Sequence, residues 1–392
     1  MVTASQSGRQ TFAGRAAIAG VGMTDLSRAS GRTTAQLAIT ASRLALADAG
    51  LQPHDVGAVL TYHLGDTAPV NSVAASLGLS PETWTNELYG GGTQCASILG
   101  DAAMLIESGT ASTVLVYRAL NGRSGARMGQ AALRFGTSDP TQFTLPYGMV
   151  GPVHLFALAA QRYLGYAATT ESDLAAVVLQ SRALACDNPA ALMRQPLSHA
   201  QYLESPYVAT PLRRVDCCLE TDGAAALVVT RSDIAAAQRP RSPRIHAVVR
   251  GGGPGSSAMD KASSVDTIFS AHVSARLYRS AGMTPDDIDI ASLYDAYSFL
   301  VLKQLEDFGF APPGQAGSFV RSGQAMLGGR LPMNLHGGLL SEGYVHGLNN
   351  VTALVQQLRG DAPANQARDP EVGLVTGFGG SYGSAAILTA SR

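Results

Sequence analysis

The sequence predicts an α/β fold made of two similar βα halves, and three observations lead there. Short apolar runs end in glycines and are followed by helical periodicity. A helix-end motif, Ala49-Gly50-Leu51-Gln52-Pro53-His54-Asp55-Val56, is answered by Ala281-Gly282-Met283-Thr284-Pro285-Asp286-Asp287-Ile288. A second echo, in the same order, pairs Ser112-Thr113-Val114-Leu115-Val116 with Val372-Gly373-Leu374-Val375-Thr376. The halves are expected over residues 15–240 and 241–392, packed as a pseudo-dimer, behind a flexible tail at 1–14.

Each element has its own signal. Ala16 to Gly22 reads as a short buried strand. Thr34 reads as the cap of a helix whose apolar face is Leu37, Ala38, Ala41, Leu44 and Leu46, with Gly50 just past its end. Gly57 to Thr61 follows as a strand. Residues 121–205 interrupt the first half with Ala, Tyr, Arg and Pro and with a helical stretch from Ser172 to Ala185. They read as an inserted loop domain, where binding functions concentrate.

Composition sets limits. With 392 residues, 46% hydrophobic and 15% charged, the chain can bury a large core. A net charge of −1 gives no electrostatic case for nucleic acid or an anionic membrane. No apolar run reaches the ~18 residues of a membrane span, and Met1 to Gly14 lacks the apolar segment of a signal peptide. A cytoplasmic protein is expected. Its four cysteines, Cys95, Cys186, Cys217 and Cys218, have neither zinc-ligand nor disulfide-framework spacing, so no metal is expected. The only lysines are Lys261, in a Gly/Ser-rich stretch, and Lys303, inside the helix pattern from Ser298 to Phe308. Neither is placed for a Schiff base.

Four segments can carry chemistry. Gly90-Gly91-Gly92-Thr93-Gln94-Cys95 opens a helix from Ala96 to Glu107, capped by Gly109. A thiol at a helix start has a lowered pKa. Gly92 and Thr93 hold that place, and Cys95 lies about a turn further in, where a small buried hydrophobe is the plainer reading. Leu293-Tyr294-Asp295-Ala296-Tyr297-Ser298 joins a strand end to a helix start, where α/β folds present reactive groups. His336-Gly337-Gly338 and Gly343-Tyr344-Val345-His346-Gly347 lead into a helix from Asn349 to Arg359. Thr376-Gly377-Phe378-Gly379-Gly380-Ser381-Tyr382-Gly383 is a glycine turn whose N–H groups could line an oxyanion site.

The order of these segments resembles the thiolase superfamily over nearly the whole chain. Pro211 to Cys218, with Asp222-Gly223-Ala224-Ala225-Ala226-Leu227, resembles its sterol-carrier-protein-x, or lipid-transfer-protein, branch. The resemblance implies a thiolase fold, with layers in αβαβα order. It places the thiolase nucleophile on Gly92, the histidine of the Gly-His-Pro segment on Tyr344 and the last-loop cysteine on Gly377, while Tyr294-Asp295-Ala296-Tyr297 stands for the Asn/His-Glu-Ala-Phe segment. Acyl transfer through these positions is therefore not expected. Two tyrosines in their place resemble the steroid side-chain-cleaving retro-aldolases of this branch. That implies retro-aldol cleavage of a 17-hydroxy-3-oxopregn-4-ene-20-carboxyl-CoA type of ester to a 17-ketosteroid and propionyl-CoA. One phenol, Tyr344 as first choice, would take the hydroxyl proton, and the other, Tyr294, would hold or protonate the enolate. Asp295 and His346 are expected to tune the phenols. Thr93, or backbone N–H groups near Gly379 and Gly380, would hold the enolate oxygen. No separate cofactor is implied, since CoA is part of the substrate. The resemblance further implies a homodimer and a complex with the OB-fold/zinc-ribbon domain of a steroid enoyl-CoA hydratase. The competing readings are an acyltransferase using Cys95 and a non-catalytic acyl-CoA or lipid-binding scaffold.

Overall fold

Apolar strands buried on both faces form the centre of the protein, a computed structural model describing residues 12, 14–125, 127, 129, 139–166, 169–254, 264–378 and 380–391. Lys261 and most of the 1–14 tail lie outside the described residues. The strands are β1 (Ala16–Met23), β2 (Ala58–His63), β3 (Trp84–Tyr89), β4 (Thr113–Asn121), β5 (Tyr207–Ala209), β6 (Leu212–Arg213), β7 (Asp222–Arg231), β8 (Arg244–Gly252), β9 (Ile290–Ser292), β10 (Val372–Phe378) and β11 (Tyr382–Thr389). Nine form one sheet in the order β3-β2-β4-β7-β1-β8-β11-β10-β9, and β5 and β6 pair separately.

The two sequence echoes occupy equivalent places in that sheet. The strands leading out of the paired helix-end motifs, β2 and β9, run parallel to β4 and β10. Outward from the centre the order is β1, β7, β4, β2 on one side, with β3 added at its edge, and β8, β11, β10, β9 on the other. The sides meet where Ala17 lies opposite Arg244 and the Ile18 N–H donates to the Pro243 carbonyl at 2.9 Å.

Helices α1 (Thr34–Ala49), α2 (Val70–Leu77) and α3 (Gln94–Glu107) fill out the first side. The capping residue of α1 is Thr33, one residue before the expected Thr34. Its Oγ1 accepts from the Gln36 N–H, and Gln36 Oε1 accepts from the Thr33 N–H. Gly50 closes the helix at φ 68°. Leu44, expected on the apolar face, is 46% exposed. The small residues Gly20 and Gly22 of β1 set the helix against the sheet: a Cβ at Gly20 would lie 2.0 Å from the Ala45 carbonyl oxygen.

α3 starts at Gln94, two residues earlier than expected, so Cys95 lies in its first turn. It is followed by Ser108, still in right-handed helical geometry, with Gly109 left-handed at φ 74°. α3 and the helix Leu348–Arg359 are buried on nearly every face and contact each other and strands from both sides of the sheet. A helix buried all round belongs between layers. α1 covers β1, β7 and β4 from outside, and the helix Ser270–Ala281 covers β8 and β11. Helices Pro152–Tyr166 and Glu171–Asp187 stand in the 121–205 segment. Lys303 is tied within its own helix, its Nζ donating to Asp307 Oδ1 at 2.6 Å.

Candidate active site

Tyr294 lies two residues past β9, with its backbone pinned from both neighbours. Its N–H donates to Thr376 Oγ1 of β10 at 2.8 Å, and its carbonyl accepts from Gln304 Nε2 at 2.9 Å. Thr376 Oγ1 in turn donates to Gln304 Oε1 at 2.7 Å. Tyr344 sits in the turn before the helix Leu348–Arg359, and its N–H donates to Thr221 Oγ1 at 3.1 Å. The two phenol oxygens meet at 2.7 Å, with the rings edge to face.

That meeting point opens on a cavity of about 430 Å³. Gly91, Gly92 and Thr93 form one wall, and Tyr294, Tyr344 and His346 face them. Phe156, Tyr297 and Phe378 make an aromatic side, with Phe156 4.7 Å from Tyr297 and 5.3 Å from Phe378 between ring centres. Phe156 comes from the 121–205 segment, which closes part of the cavity as a binding loop would.

Gly92 explains how the phenol reaches the helix start. A Cβ there would fall 2.0 Å from Tyr294 Oη and 2.2 Å from Cζ. Ordinary contacts never approach that closely, so the Tyr294 ring occupies the space a side chain at position 92 would need. Gly347 is equally confined: a Cβ would meet Tyr294 Cε2 at 2.7 Å and Cys95 Sγ at 2.8 Å. Gly377 would meet the Gly92 carbonyl oxygen at 2.6 Å.

Burial pushes both phenols well above their usual value. For Tyr294 the Tyr344 phenol adds to that rise. For Tyr344, Cys218 also raises it, the hydrogen bond with Tyr294 and the positive charge of Arg118 pull back, and Asp66 adds a further rise.

The other expected residues divide. Thr93 lines the cavity at the start of α3, where the Gln94 and Cys95 N–H groups are already taken, donating to the Gly91 and Gly92 carbonyls at 3.0 and 3.2 Å. His346 lines it too, fully buried and left-handed at φ 47°. Asp295 does not. Its carboxylate accepts from the Leu339 and Leu340 N–H groups at 3.0 and 3.4 Å, anchoring the one-turn helix Gly338–Ser341 just upstream of Tyr344. Burial raises that carboxyl to about 6. Gly380 is buried at φ 115° in the turn between β10 and β11 and does not line the cavity. Gly379 lies outside the described residues. Cys95 is also absent from the cavity wall. Its thiol donates to the Thr376 carbonyl at 3.5 Å, and burial raises it far above a reactive value.

Sequence reasoning missed Asp66 and Arg118. Arg118 is a lone charge in the apolar run of β4, and that was the available signal. Asp66 stands in a turn with no distinguishing neighbours. Cys218 and Glu220 also line the cavity.

The family described as "Thiolase C-terminal domain-like" matches residues 255–392. The chain is 38% identical over 387 residues to the 17-hydroxy-3-oxo-4-pregnene-20-carboxyl-CoA lyase of Mycobacterium tuberculosis, covering 96% of this chain and 100% of that protein. It is 38% identical over 390 residues to the steroid side-chain-cleaving aldolase of Thermomonospora curvata, covering 97% and 99%. The chain belongs to the thiolase superfamily, in the branch of the steroid side-chain-cleaving aldolases. The solved "Ltp2-ChsH2(DUF35) aldolase" superposes with a TM-score of 0.89 at 35% identity, over 97% of this chain and 98% of that one. In this thiolase-fold chain, the place that the family resemblance gives to the nucleophile is filled by a phenol reaching over from β9.

Proposed function

We propose that the protein is a carbon–carbon lyase that cleaves a steroid β-hydroxyacyl-CoA by a retro-aldol reaction, releasing a 17-ketosteroid and propionyl-CoA. The observation that carries this reading is the Tyr294–Tyr344 hydroxyl pair at 2.7 Å on the wall of the cavity. Its aromatic side, Phe156, Tyr297 and Phe378, suits a flat apolar skeleton. The names of the relatives support the substrate class.

The pair can move a proton without a resting phenolate. The substrate hydroxyl gives its proton to Tyr344 Oη as Tyr344 passes its own to Tyr294, and Tyr294 protonates the thioester α-carbon. Meanwhile the C–C bond pair becomes the enolate, and the carbinol carbon becomes the ketone. Each positioned proton transfer contributes about 10²–10⁴ in rate. Gly92 and Thr93, on the cavity wall, would lie beside the developing oxyanion. CoA enters as part of the substrate, and no other cofactor is invoked. A Cys95 acyl-enzyme has no support, since that thiol is sealed behind the wall.

The reading extends to two partners. A second copy of the chain would pair at β3, an edge strand of the nine-stranded sheet bearing Trp84 and Tyr89, 40% and 68% exposed. A DUF35 domain would join it, as the name of the DUF35-containing aldolase suggests, and the family resemblance makes that the OB-fold/zinc-ribbon domain of a steroid enoyl-CoA hydratase. Mass spectrometry of products from tertiary β-hydroxyacyl-CoA esters, with and without such a domain, tests the whole reading. Ketone and propionyl-CoA are expected. Tight ester binding with no cleavage in either arm refutes it in favour of a scaffold, and an acyl-cysteine adduct refutes it in favour of acyl transfer.

A further inference from the structure

Behind Tyr344 lies a chain of side chains that the proton relay does not use. Arg118 is a wholly buried guanidinium in β4. Its Nη2 lies 2.6 Å from Asp66 Oδ1 and 2.6 Å from His346 Nδ1, and its Nη1 donates to the Ala119 carbonyl at 2.9 Å. An arginine can only donate, so His346 Nδ1 must accept, and the ring proton belongs on Nε2. Burial and the neighbouring Arg118 charge lower the imidazole to about 3, while Asp66 opposes them, so the ring is neutral. The backbone is fixed as well: Tyr62 Oη donates to the His346 carbonyl at 2.9 Å.

The protonated edge of the ring faces the cavity. A Cβ on Gly91 would lie 3.3 Å from His346 Nε2 and 3.4 Å from Cε1. Gly91, Gly92 and His346 all line the cavity beside the paired phenols. No protein acceptor for Nε2–H occurs among the described residues. A neutral imidazole held in one tautomer is a good donor to an enolate, because it stabilises the oxyanion without protonating it.

We propose that Asp66, Arg118 and His346 form one unit that presents the His346 Nε2–H to the thioester carbonyl oxygen of the substrate. His346 would be the oxyanion donor, and Arg118 and Asp66 positioning residues that fix its tautomer. The inference rests on the retro-aldol reading and adds the group that receives the enolate charge. In the step, the C–C bond pair moves onto the α-carbon and carbonyl oxygen. The Nε2–H bond stays intact and shortens its contact with that oxygen.

Three measurements test it on the full chain with its partner domain. The first is cleavage kinetics. His346→Leu and Arg118→Met are expected to lower kcat by about 10²–10³, with KM within about threefold, as loss of one oxyanion donor does. Arg118→Lys restores charge without the fork of donors and should rescue poorly. The second is exchange of the propionyl-CoA α-protons in deuterium oxide, which forms the same enolate without the tertiary alcohol. It should fall in parallel with cleavage. The third is nitrogen NMR of the labelled imidazoles, with the His346 signals assigned by their loss in His346→Gln. The wild type should hold His346 as the pure Nε2–H tautomer, and Arg118→Met should mix the tautomers. Should Arg118→Met not fold, Asp66→Asn/Arg118→Met removes the unpaired carboxylate and serves in its place. Near-wild-type kcat in His346→Leu, a loss confined to KM, or an unchanged tautomer without Arg118 overturns the proposal. A wild type that neither cleaves nor exchanges, yet shows the fixed tautomer, instead points to failure of the retro-aldol reading and removes the oxyanion role with it.

Discussion

The two walls of the cavity are built on opposite plans. The wall at the start of α3, Gly90 to Thr93, contributes mostly backbone. The second-half wall contributes Tyr294, Tyr344 and His346. The two are coupled by volume: the space withheld at Gly92 is the space the Tyr294 ring fills, 2.0 Å from where a Cβ would stand. An active site can thus change its reactive group without changing its fold, by emptying one wall and letting the other reach across.

Removing the second wall's hydroxyls has the largest expected effect. Tyr344→Phe and Tyr294→Phe are each expected to lower cleavage by about 10²–10⁴. The double variant should lose little more than the worse single, because the two act as one relay. Steady-state cleavage of the thioester checks both.

Refilling the first wall is the next largest change. Gly92→Ala should displace the Tyr294 ring and lower cleavage by about 10²-fold or more, while circular dichroism and melting behaviour stay close to wild type. Activity near wild type would mean the ring moves freely and the volume argument fails.

A third test sharpens the contrast through pH. His346 titrates near 3 when folded and near its ordinary ~6.5 when unfolded. A depressed histidine gives stability that is complete above the unfolded value and lost as pH falls from there toward the folded one. Arg118, Asp66 and Tyr344 face it. Between about pH 7.5 and about pH 5, urea unfolding should cost the wild type more stability than His346→Gln. Asp216 and Asp295, each raised to about 6 by burial, act in the opposite direction but do so in both proteins.

The smallest effect is expected behind the first wall. Cys95→Ala should leave cleavage within about threefold of wild type and lower stability by about 1 kcal/mol, since only a buried thiol is lost. Activity and thermal melting, measured together, separate the two.

Much of this was legible in the chain itself. Strand–glycine–helix grammar and two echoes in one order marked the repeated βα arrangement, because short-range periodicity and left-handed helix ends are local properties. The tyrosines stood out by lying at segment ends beside glycines. What sequence could not supply was contact across distance. Asp66, Arg118 and His346 are 52 and 228 residues apart and meet only in the folded protein. Asp295, two positions from Tyr297 and next to Tyr294, has its carboxylate on the turn upstream of Tyr344 and is absent from the cavity wall.

By itself the sequence determined which elements form, where they end, and that no side chain stands at position 92. Tertiary structure alone decided that the Tyr294 phenol fills that vacancy, that it meets Tyr344 at 2.7 Å, and that His346, on the cavity wall, meets a buried arginine. The physical reason is range. Propensity and capping act over a few residues, whereas a reactive constellation depends on excluded volume and hydrogen bonds between strands far apart in the chain.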